Sequence, residues 1–268
     1  MTRLPLSQVD AFADRPFTGN PAAVMPLAQW LDDAVLQAIA EENNLAETAF
    51  FLPDASGAAD FELRWFTPAV EVALCGHATL ASGHVVLSSD PDRAAVTFRT
   101  RKAGILKVAR GAAGHYDMAL PAYRAEPKPL PAIVAGLGVD PAKVIETRWH
   151  PNHYGLIVLA NAADVHALNP DFRKLGAEGD VLTIVTAPGD DTDVMSRVFA
   201  PGAGIDEDPV TGSAHSVLTP YWAERLGRAD FTAYQASKRG GHVGCRLEGD
   251  RAILSGGCVT VIEGTFLL

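Results

Sequence analysis

The chain has 268 residues, of which 48% are hydrophobic and 20% are charged, and its formal net charge is −10. This composition supplies a sizeable core and excludes an intrinsically disordered chain, and the negative charge argues against nucleic acid or an acidic membrane surface as a partner. Because the N-terminus lacks the apolar region of a secretory signal and the three cysteines do not have the spacing of a disulfide framework, we expect a cytoplasmic protein.

Apolar periodicity predicts alternating helices and strands in the first half of the chain. Residues 32–42 have the pattern of an amphipathic helix, residues 48–52 that of a buried strand, and residues 60–66 that of a half-buried strand. Residues 77–87 are apolar almost all round, so we expect this helix to lie inside a domain. Short strands separated by glycines follow between residues 94 and 119.

Closely spaced prolines from Pro121 to Pro131 indicate a boundary between two domains. We place the first domain at residues 1–122 and the second at residues 123–268, with the last strand free to cross back to the first domain. The second domain continues the alternation of strands and helices. Its main predicted elements are strands at residues 155–159 and 181–186 and an apolar helix at residues 213–226.

An internal repeat relates the two halves. The segment Arg64-Trp-Phe-Thr-Pro68 recurs about half a chain later as Arg197-Val-Phe-Ala-Pro201. Each copy is followed by an irregular acidic stretch, and each then leads to a Gly-x-Ala at the start of an apolar helix, Gly76-His-Ala78 and Gly212-Ser-Ala214. The linking stretch is three residues longer in the second copy. The repeat predicts two similar domains that face each other.

The two helix N-termini are candidate anion receptors. Each offers free backbone N–H groups and the positive end of a helix dipole, and a glycine at position 76 or 212 lets a ligand approach the backbone closely. We expect the two ends to meet across an interdomain cleft and to hold a small carboxylate. The alternative is that Gly76 and Gly212 only form tight turns, and the spacing alone leaves this open.

Acid and base candidates cluster around these helix starts. Asp208 belongs to an acidic run that exceeds what helix capping requires, and His77 follows the first glycine. Glu47 precedes an apolar strand, where partial burial suits a general base. Each also has a plain structural interpretation, namely a dipole partner for Asp208, a first-turn residue for His77 and a surface glutamate at a strand end for Glu47.

Several cofactor and nucleophile motifs are missing from the sequence. No phosphate-binding loop or dinucleotide fingerprint occurs, and the segment around Ser213 is not a nucleophile elbow. His150 and His153 are separated by a proline and lack a third ligand nearby, so they make a poor metal site. We therefore expect no metal and no nucleotide cofactor.

Six stretches, in order along the chain, resemble the phenazine-biosynthesis PhzF-like isomerase family. They are Val9-Asp-Ala-Phe12, Phe17-Thr-Gly-Asn-Pro-Ala-Ala-Val24, Asn44-Leu-Ala-Glu-Thr-Ala-Phe50, Arg64-Trp-Phe-Thr-Pro68, Leu74-Cys-Gly-His-Ala-Thr79 and Asp208-Pro-Val-Thr-Gly-Ser-Ala214. The resemblance implies an α/β (α+β) fold of the diaminopimelate-epimerase type, in which two pseudo-symmetric halves each wrap a strongly curved sheet around a central helix. It also implies a homodimer, no cofactor and a role in a biosynthetic process.

The resemblance further implies how the site residues act. Glu47 matches the family glutamate that moves a proton between carbons of a small carboxylate, and Asp208 and His77 match residues that assist it by general acid/base catalysis. The remaining matched residues are implied as substrate contacts: Asn20, Gly76, Ala78, Gly212, Ser213 and Ala214.

Two positions depart from the phenazine enzyme of the family and keep other functions open. Ala46 replaces a serine that precedes the glutamate, and Cys75 lies where related epimerases carry a catalytic thiol. Cys75 is either a packed small residue or a second base, so an epimerase or racemase is the first alternative. A non-catalytic binder of small anionic metabolites is the second, and a serine hydrolase built on Ser213 is a distant third.

Overall fold

A computed structural model describes all residues from Met1 to Leu268, and it has the mixed α/β architecture that the sequence predicts. The chain divides into two compact units. The first consists of residues 1–120 and 255–268, and the second of residues 121–254. The second unit therefore ends at Leu254, and the C-terminal segment belongs to the first unit.

The first unit contains a mainly antiparallel sheet and two helices. Its strand order is β17-β1-β2-β3-β4-β6-β7-β8, with the short β5 beside β4. Its elements are β1 (Arg3–Ala11), β2 (Asn20–Pro26), α1 (Asp33–Asn43), β3 (Glu47–Pro53), β4 (Phe61–Phe66), β5 (Glu71–Val72), α2 (Gly76–Ser89), β6 (Ala95–Thr100), β7 (Ile105–Arg110), β8 (Tyr116–Pro121) and β17 (Cys258–Leu267).

The second unit is built in the same way, with its strands ordered β9-β10-β11-β12-β13-β14-β15. Its elements are β9 (Glu126–Pro127), α3 (Pro131–Leu137), β10 (Val144–His150), β11 (Tyr154–Leu159), α4 (Ala162–His166), α5 (Phe172–Gly176), β12 (Leu182–Pro188), β13 (Val194–Phe199), α6 (Gly212–Leu226), β14 (Asp230–Gln235) and β15 (Gly241–Glu248). Strand β16 (Arg251–Gly256) spans the change from the second unit to the first.

The pairing pattern of the strands supports the internal repeat. From β1 to β7 in the first unit, and from β10 to β15 in the second, neighbours alternate as antiparallel, parallel, antiparallel, parallel and antiparallel. The registers also correspond, since Thr48 pairs with Phe66 and Thr183 pairs with Phe199. Each phenylalanine belongs to its copy of the repeated motif.

Each unit buries one helix, as the apolar patterns predict. Helix α2 packs against strands β1, β2, β3, β6 and β7, and most of its residues are buried. Helix α6 is buried from Ala214 to Ala223 although it contains Pro220. Proline cannot donate to the carbonyl of Ser216 four residues earlier, and that carbonyl accepts the Tyr123 N–H instead, at 2.9 Å. None of the helices is both long and apolar enough to cross a membrane.

The strand at residues 60–66 differs from its half-buried prediction. Its second half, from Leu63 to Phe66, is buried on both faces. Arg64 lies on the face expected to meet water, yet its side chain is only 3% exposed because it forms ion pairs with Glu71 and Asp33. A period-two pattern identifies apolar positions but cannot identify an arginine whose charge is neutralised by residues elsewhere in the chain.

Gly83 tests how tightly α2 packs against its sheet. A Cβ atom at this position would lie 2.5 Å from Cγ1 of Val108 on β7. We expect Gly83→Ala to lower the free energy of unfolding by about 1–2 kcal/mol, because overpacking outweighs the gain in helix propensity. In urea denaturation, the double variant Gly83→Ala/Val108→Ala should lose less than the sum of the two single variants. Strict additivity would show that the two side chains do not meet.

Candidate active site

Four predicted residues come together in the first unit. His77, in the first turn of α2, lies with its Nε2 3.1 Å from Oε2 of Glu47, the first residue of β3. The opposite ring nitrogen, Nδ1, lies 3.2 Å from Nδ2 of Asn20 and 3.5 Å from Sγ of Cys75. The imidazole is therefore held between an amide and a thiol on one edge and a carboxylate on the other.

The carboxylate contact is made in a nearly dry environment. Glu47 Oε2 and His77 Nε2 are both buried and are at ion-pair distance rather than in a well-aligned hydrogen bond. The Glu47 side chain is 12% exposed, so it is largely shielded from water but not sealed off. Electrostatic interactions are stronger in such a place than in water, which makes the protonation states of the pair sensitive to what binds there.

The pKa values of the Cys75 thiol and the His77 imidazole are shifted in directions that suit proton transfer. Burial and the neighbouring Glu47 raise the pKa of the Cys75 thiol, so it stays protonated at neutral pH. Burial by itself lowers the pKa of His77, but the Glu47 carboxylate beside Nε2 outweighs burial and holds the pKa above its usual value. His77 is thus ready to hold a proton next to Glu47.

The start of α2 leaves donors available next to this cluster. Cys75 is the N-cap residue in an extended conformation, and its side chain does not cap the helix. The hydroxyl and the N–H of Thr79 both donate to the Cys75 carbonyl, at 2.6 and 3.2 Å, which fixes the first turn. The first turn of α2, with buried Gly76 and Ala78, therefore places the positive end of the helix dipole next to this cluster, at the position where the sequence predicts an anion.

In the second unit, a hydrogen-bond network fixes Asp208. The hydroxyl of Thr211 donates to Oδ2 of Asp208 at 2.5 Å. The side chain of Gln235 donates to the Asp208 carbonyl at 2.7 Å and accepts the Thr211 N–H at 2.9 Å. Gln235 is fully buried at the end of β14, so the segment that carries Asp208 is attached to the sheet.

Helix α6 begins like α2. Thr211 is an extended N-cap whose side chain does not cap the helix, and Gly212 and Ala214 are buried in the first turn. Ser213 is half-buried, and its hydroxyl lies beside the phenol of Tyr154. That contact ties Ser213 to a tyrosine rather than to a histidine base, so the geometry does not favour a serine hydrolase.

The donor set could in principle hold a metal ion. Glu47, Cys75 and His77 offer carboxylate, thiol and imidazole ligands whose atoms lie within 4.8 Å of one another, a combination that zinc uses. However, the thiol faces Nδ1 of His77 whereas the carboxylate faces Nε2. Because one ring nitrogen would have to be the metal ligand, this arrangement fits a chain of proton-transferring groups better than convergent coordination.

Two residues of these networks were missed by the sequence interpretation. Thr211 is detectable in principle, because the repeat places it opposite Cys75, one residue before the glycine of each helix. Gln235 has no such signal, since it lies on a strand far along the chain. Asn20 was predicted as a substrate contact, and the structure shows it fully buried beside the His77 ring.

Comparisons with known proteins identify the family to which this chain is similar. A family model described as "phenazine biosynthesis-like protein" matches residues 9–264. An uncharacterized isomerase of Pseudomonas aeruginosa is 45% identical over 99% of both chains. A PhzF-family protein of Enterococcus faecalis has a crystal structure that is similar over 100% of both chains, with a TM-score of 0.90 and 40% identity.

A more distant structure shows how far the fold extends. A predicted epimerase from Pseudomonas aeruginosa is similar over 99% of both chains with a TM-score of 0.77, at 22% identity. At that identity the likeness concerns the fold alone. The predicted fold class is confirmed by these two structures and by the pairing pattern of the strands.

His215 predicts a pH dependence of stability. It is fully buried on α6, its Nδ1 contacts the Thr211 carbonyl at 2.8 Å, and burial lowers its pKa to about 4. Below about pH 6.5 this histidine binds a proton in the unfolded chain but stays neutral in the native protein. The free energy of unfolding therefore falls between about pH 6.5 and 4, by about 3 kcal/mol in total. Urea denaturation across this range should show a flatter dependence for His215→Gln than for wild type.

The matched control is His242→Gln, which changes an exposed histidine. Its pH dependence should remain that of the wild type. If His215→Gln and the wild type lose stability in parallel between pH 6.5 and 4, His215 is not the group responsible. The titration of His77 changes stability in the opposite direction, because a raised pKa adds stability that is lost only as pH rises. Since the wild type and His215→Gln both contain His77, its contribution cancels in the comparison.

Proposed function

This chain belongs to the phenazine biosynthesis-like protein family and is an isomerase, and from that premise we propose that it moves a proton between carbon atoms of a small carboxylate substrate with Glu47 as the base. The observation that carries the proposal is the buried contact between Glu47 and His77. A carboxylate that is largely shielded from water, beside an imidazole whose pKa is raised, forms an acid/base pair that needs no redox partner.

The chemistry is difficult because a carbanion next to a carboxylate is a weakly stabilised anion. Glu47 takes the proton from carbon, and the electron pair of the broken C–H bond moves into an enolate. The enolate is then reprotonated at another carbon, which restores the Glu47 carboxylate and leaves the substrate isomerised without net oxidation. His77 orients the carboxylate and, because of its raised pKa, can exchange a proton with it.

The developing negative charge needs fixed donors. The first turn of α2 offers backbone N–H groups beside the acid/base pair, where preorganised dipoles stabilise an enolate. Asp208 and the first turn of α6 are proposed as further substrate contacts because they match the family motif residue by residue. The proposal requires no cofactor, assigns a small carboxylate as the partner, and retains the cytoplasmic homodimer that the resemblance implies.

One observation supports a second function, an epimerase or racemase with Cys75 as a base. Its sulfur lies 3.5 Å from His77 Nδ1, and proton transfer to the ring would generate a reactive thiolate. The raised pKa of the buried thiol argues against that step at neutral pH, because a general base must be deprotonated before it can act. We therefore rank Glu47 ahead of Cys75.

Replacing Glu47 tests the base directly. The protein is incubated in D₂O with a panel of cyclic and amino-acid carboxylates, including dihydro-hydroxyanthranilate, and NMR measures deuterium incorporation at carbon. We expect Glu47→Gln to lower incorporation by about 10²- to 10⁴-fold, the usual contribution of a general base. Glu42→Gln is the matched control, since it changes an exposed glutamate near the end of α1, and it should exchange like the wild type.

Three results would count against the proposal. Undiminished exchange in a folded Glu47→Gln protein removes Glu47 from the mechanism. Equal losses in Glu47→Gln and Glu42→Gln would indicate a nonspecific effect of charge. A compound that raises the melting temperature of the wild type but never exchanges would favour a non-catalytic binder of anionic metabolites.

Replacing Cys75 distinguishes the isomerase with Glu47 as base from the epimerase with Cys75 as base. We expect Cys75→Ser to retain most of the exchange activity, because serine preserves the size of the side chain and the thiol is not the base. The same D₂O measurement checks this. A loss of about 10²-fold or more in a folded Cys75→Ser protein, with Glu47→Gln still active, would favour the epimerase.

A further inference from the structure

The repeated motif Arg-x-Phe-[Thr/Ala]-Pro has a common structure in both units. Arg64 and Phe66 lie two residues apart on β4, and Arg197 and Phe199 lie two residues apart on β13. Residues with this spacing point to the same face of a strand. Accordingly, the guanidinium carbon of each arginine lies over the ring of its phenylalanine, at 5.0 Å in the first unit and 5.1 Å in the second.

Each arginine also binds a glutamate from the stretch that follows. In the first unit Nε and Nη2 of Arg64 contact the two carboxylate oxygens of Glu71 at 2.8 and 2.9 Å. In the second unit Nε and Nη2 of Arg197 contact Glu207 at 2.7 and 3.0 Å. Two parallel hydrogen bonds fix the plane of the carboxylate as well as its position. We call each of these two pairs an Arg–Glu fork.

The forks hold the stretches that carry candidate site residues. Glu207 directly precedes Asp208, and Glu71 is four residues before Cys75. The added residues of the second copy lie between Arg197 and Glu207, so the insertion lengthens the loop without losing the fork. Conservation of a bidentate contact across an insertion, within one chain, indicates that the contact itself is required and that the length of the loop is not.

We propose that the two Arg–Glu forks are positioning devices that fix the loops leading into α2 and α6, and that Arg197 and Glu207 set the position of Asp208. The inference rests on the proton-transfer function proposed above. Arg197 is the better target of the two arginines, because Arg64 is more deeply buried and has a second acidic partner, Asp33. Arg197 also donates to the Leu168 carbonyl at 2.8 Å, which anchors it independently of Glu207.

Lysine at position 197 keeps the charge but cannot form the fork. We expect Arg197→Lys to increase amide hydrogen exchange in the peptide spanning residues 205–211 by at least about tenfold, while exchange in the β-strands is unchanged. On the panel compound that the wild type exchanges, kcat for deuterium incorporation should fall about 10- to 100-fold, since small misplacements of a catalytic group have effects of this size. Glu207→Gln preserves the side-chain shape and should show a smaller change of both quantities.

Arg148→Lys is the matched control, because Arg148 makes a similar contact elsewhere in the second unit. Its Nε contacts Glu146 at 2.7 Å, its guanidinium lies 5.5 Å from the centre of the Tyr221 ring, and it donates to the Ala125 carbonyl at 3.0 Å. This variant should leave both the exchange of residues 205–211 and kcat as in wild type.

The outcomes are separable. Unchanged amide exchange at residues 205–211 in Arg197→Lys overturns the inference, and so does faster amide exchange with unchanged kcat. An equal effect of Arg148→Lys would reduce the forks to general stabilisers and also overturns it. If the wild type exchanges none of the panel compounds, the proposed function fails, whereas the amide measurement still decides whether the fork holds the loop. Non-additive effects of Arg197→Lys and Glu207→Gln would support a single shared contact.

Discussion

The burial of one helix in each unit is the constraint on which the other features depend. Helices α2 and α6 are mostly buried and carry no Asp, Glu, Lys or Arg before Glu224, so each is enclosed by strands that remove its apolar surface from water. A buried helix begins inside its unit, and its first N–H groups then lie in a poorly solvated place. Polar residues at that end acquire strong mutual interactions, which is where His77, Cys75 and Glu47 meet.

The two units share one scaffold and differ in which positions carry an acid. Glu47 and Leu182 occupy equivalent positions in the two sheets. Each pairs in parallel with the preceding strand, and each directly precedes a threonine that pairs with the phenylalanine of the repeated motif. Counting back four residues from each helix glycine aligns Asp208 with Val72. Each copy therefore has an acid where the other has an aliphatic residue. Packing and the Arg–Glu forks maintain the scaffold that both units share, whereas the acidic residues Glu47 and Asp208 each occur in one unit only.

Much of the fold follows from local patterns. The apolar runs predict both buried helices to within a residue or two of their observed ends, and the motif repeat predicts two related units. The prediction is less complete where charge is buried. Arg64 looks like a solvent-facing strand residue, and only its distant partners Glu71 and Asp33 make its burial tolerable. Likewise Gln235 reaches Asp208 from a strand that is remote in sequence.

The sequence by itself determined the fold class, the internal repeat and the family, because these depend on periodicity and on motifs that are contiguous along the chain. It also identified Glu47, His77 and Asp208 as acid/base candidates. The tertiary structure decided which ring edge of His77 faces the thiol and which the carboxylate, and the direction of each pKa shift. Those properties depend on distances between segments and on the exclusion of water, and neither is encoded in the spacing of residues along the chain.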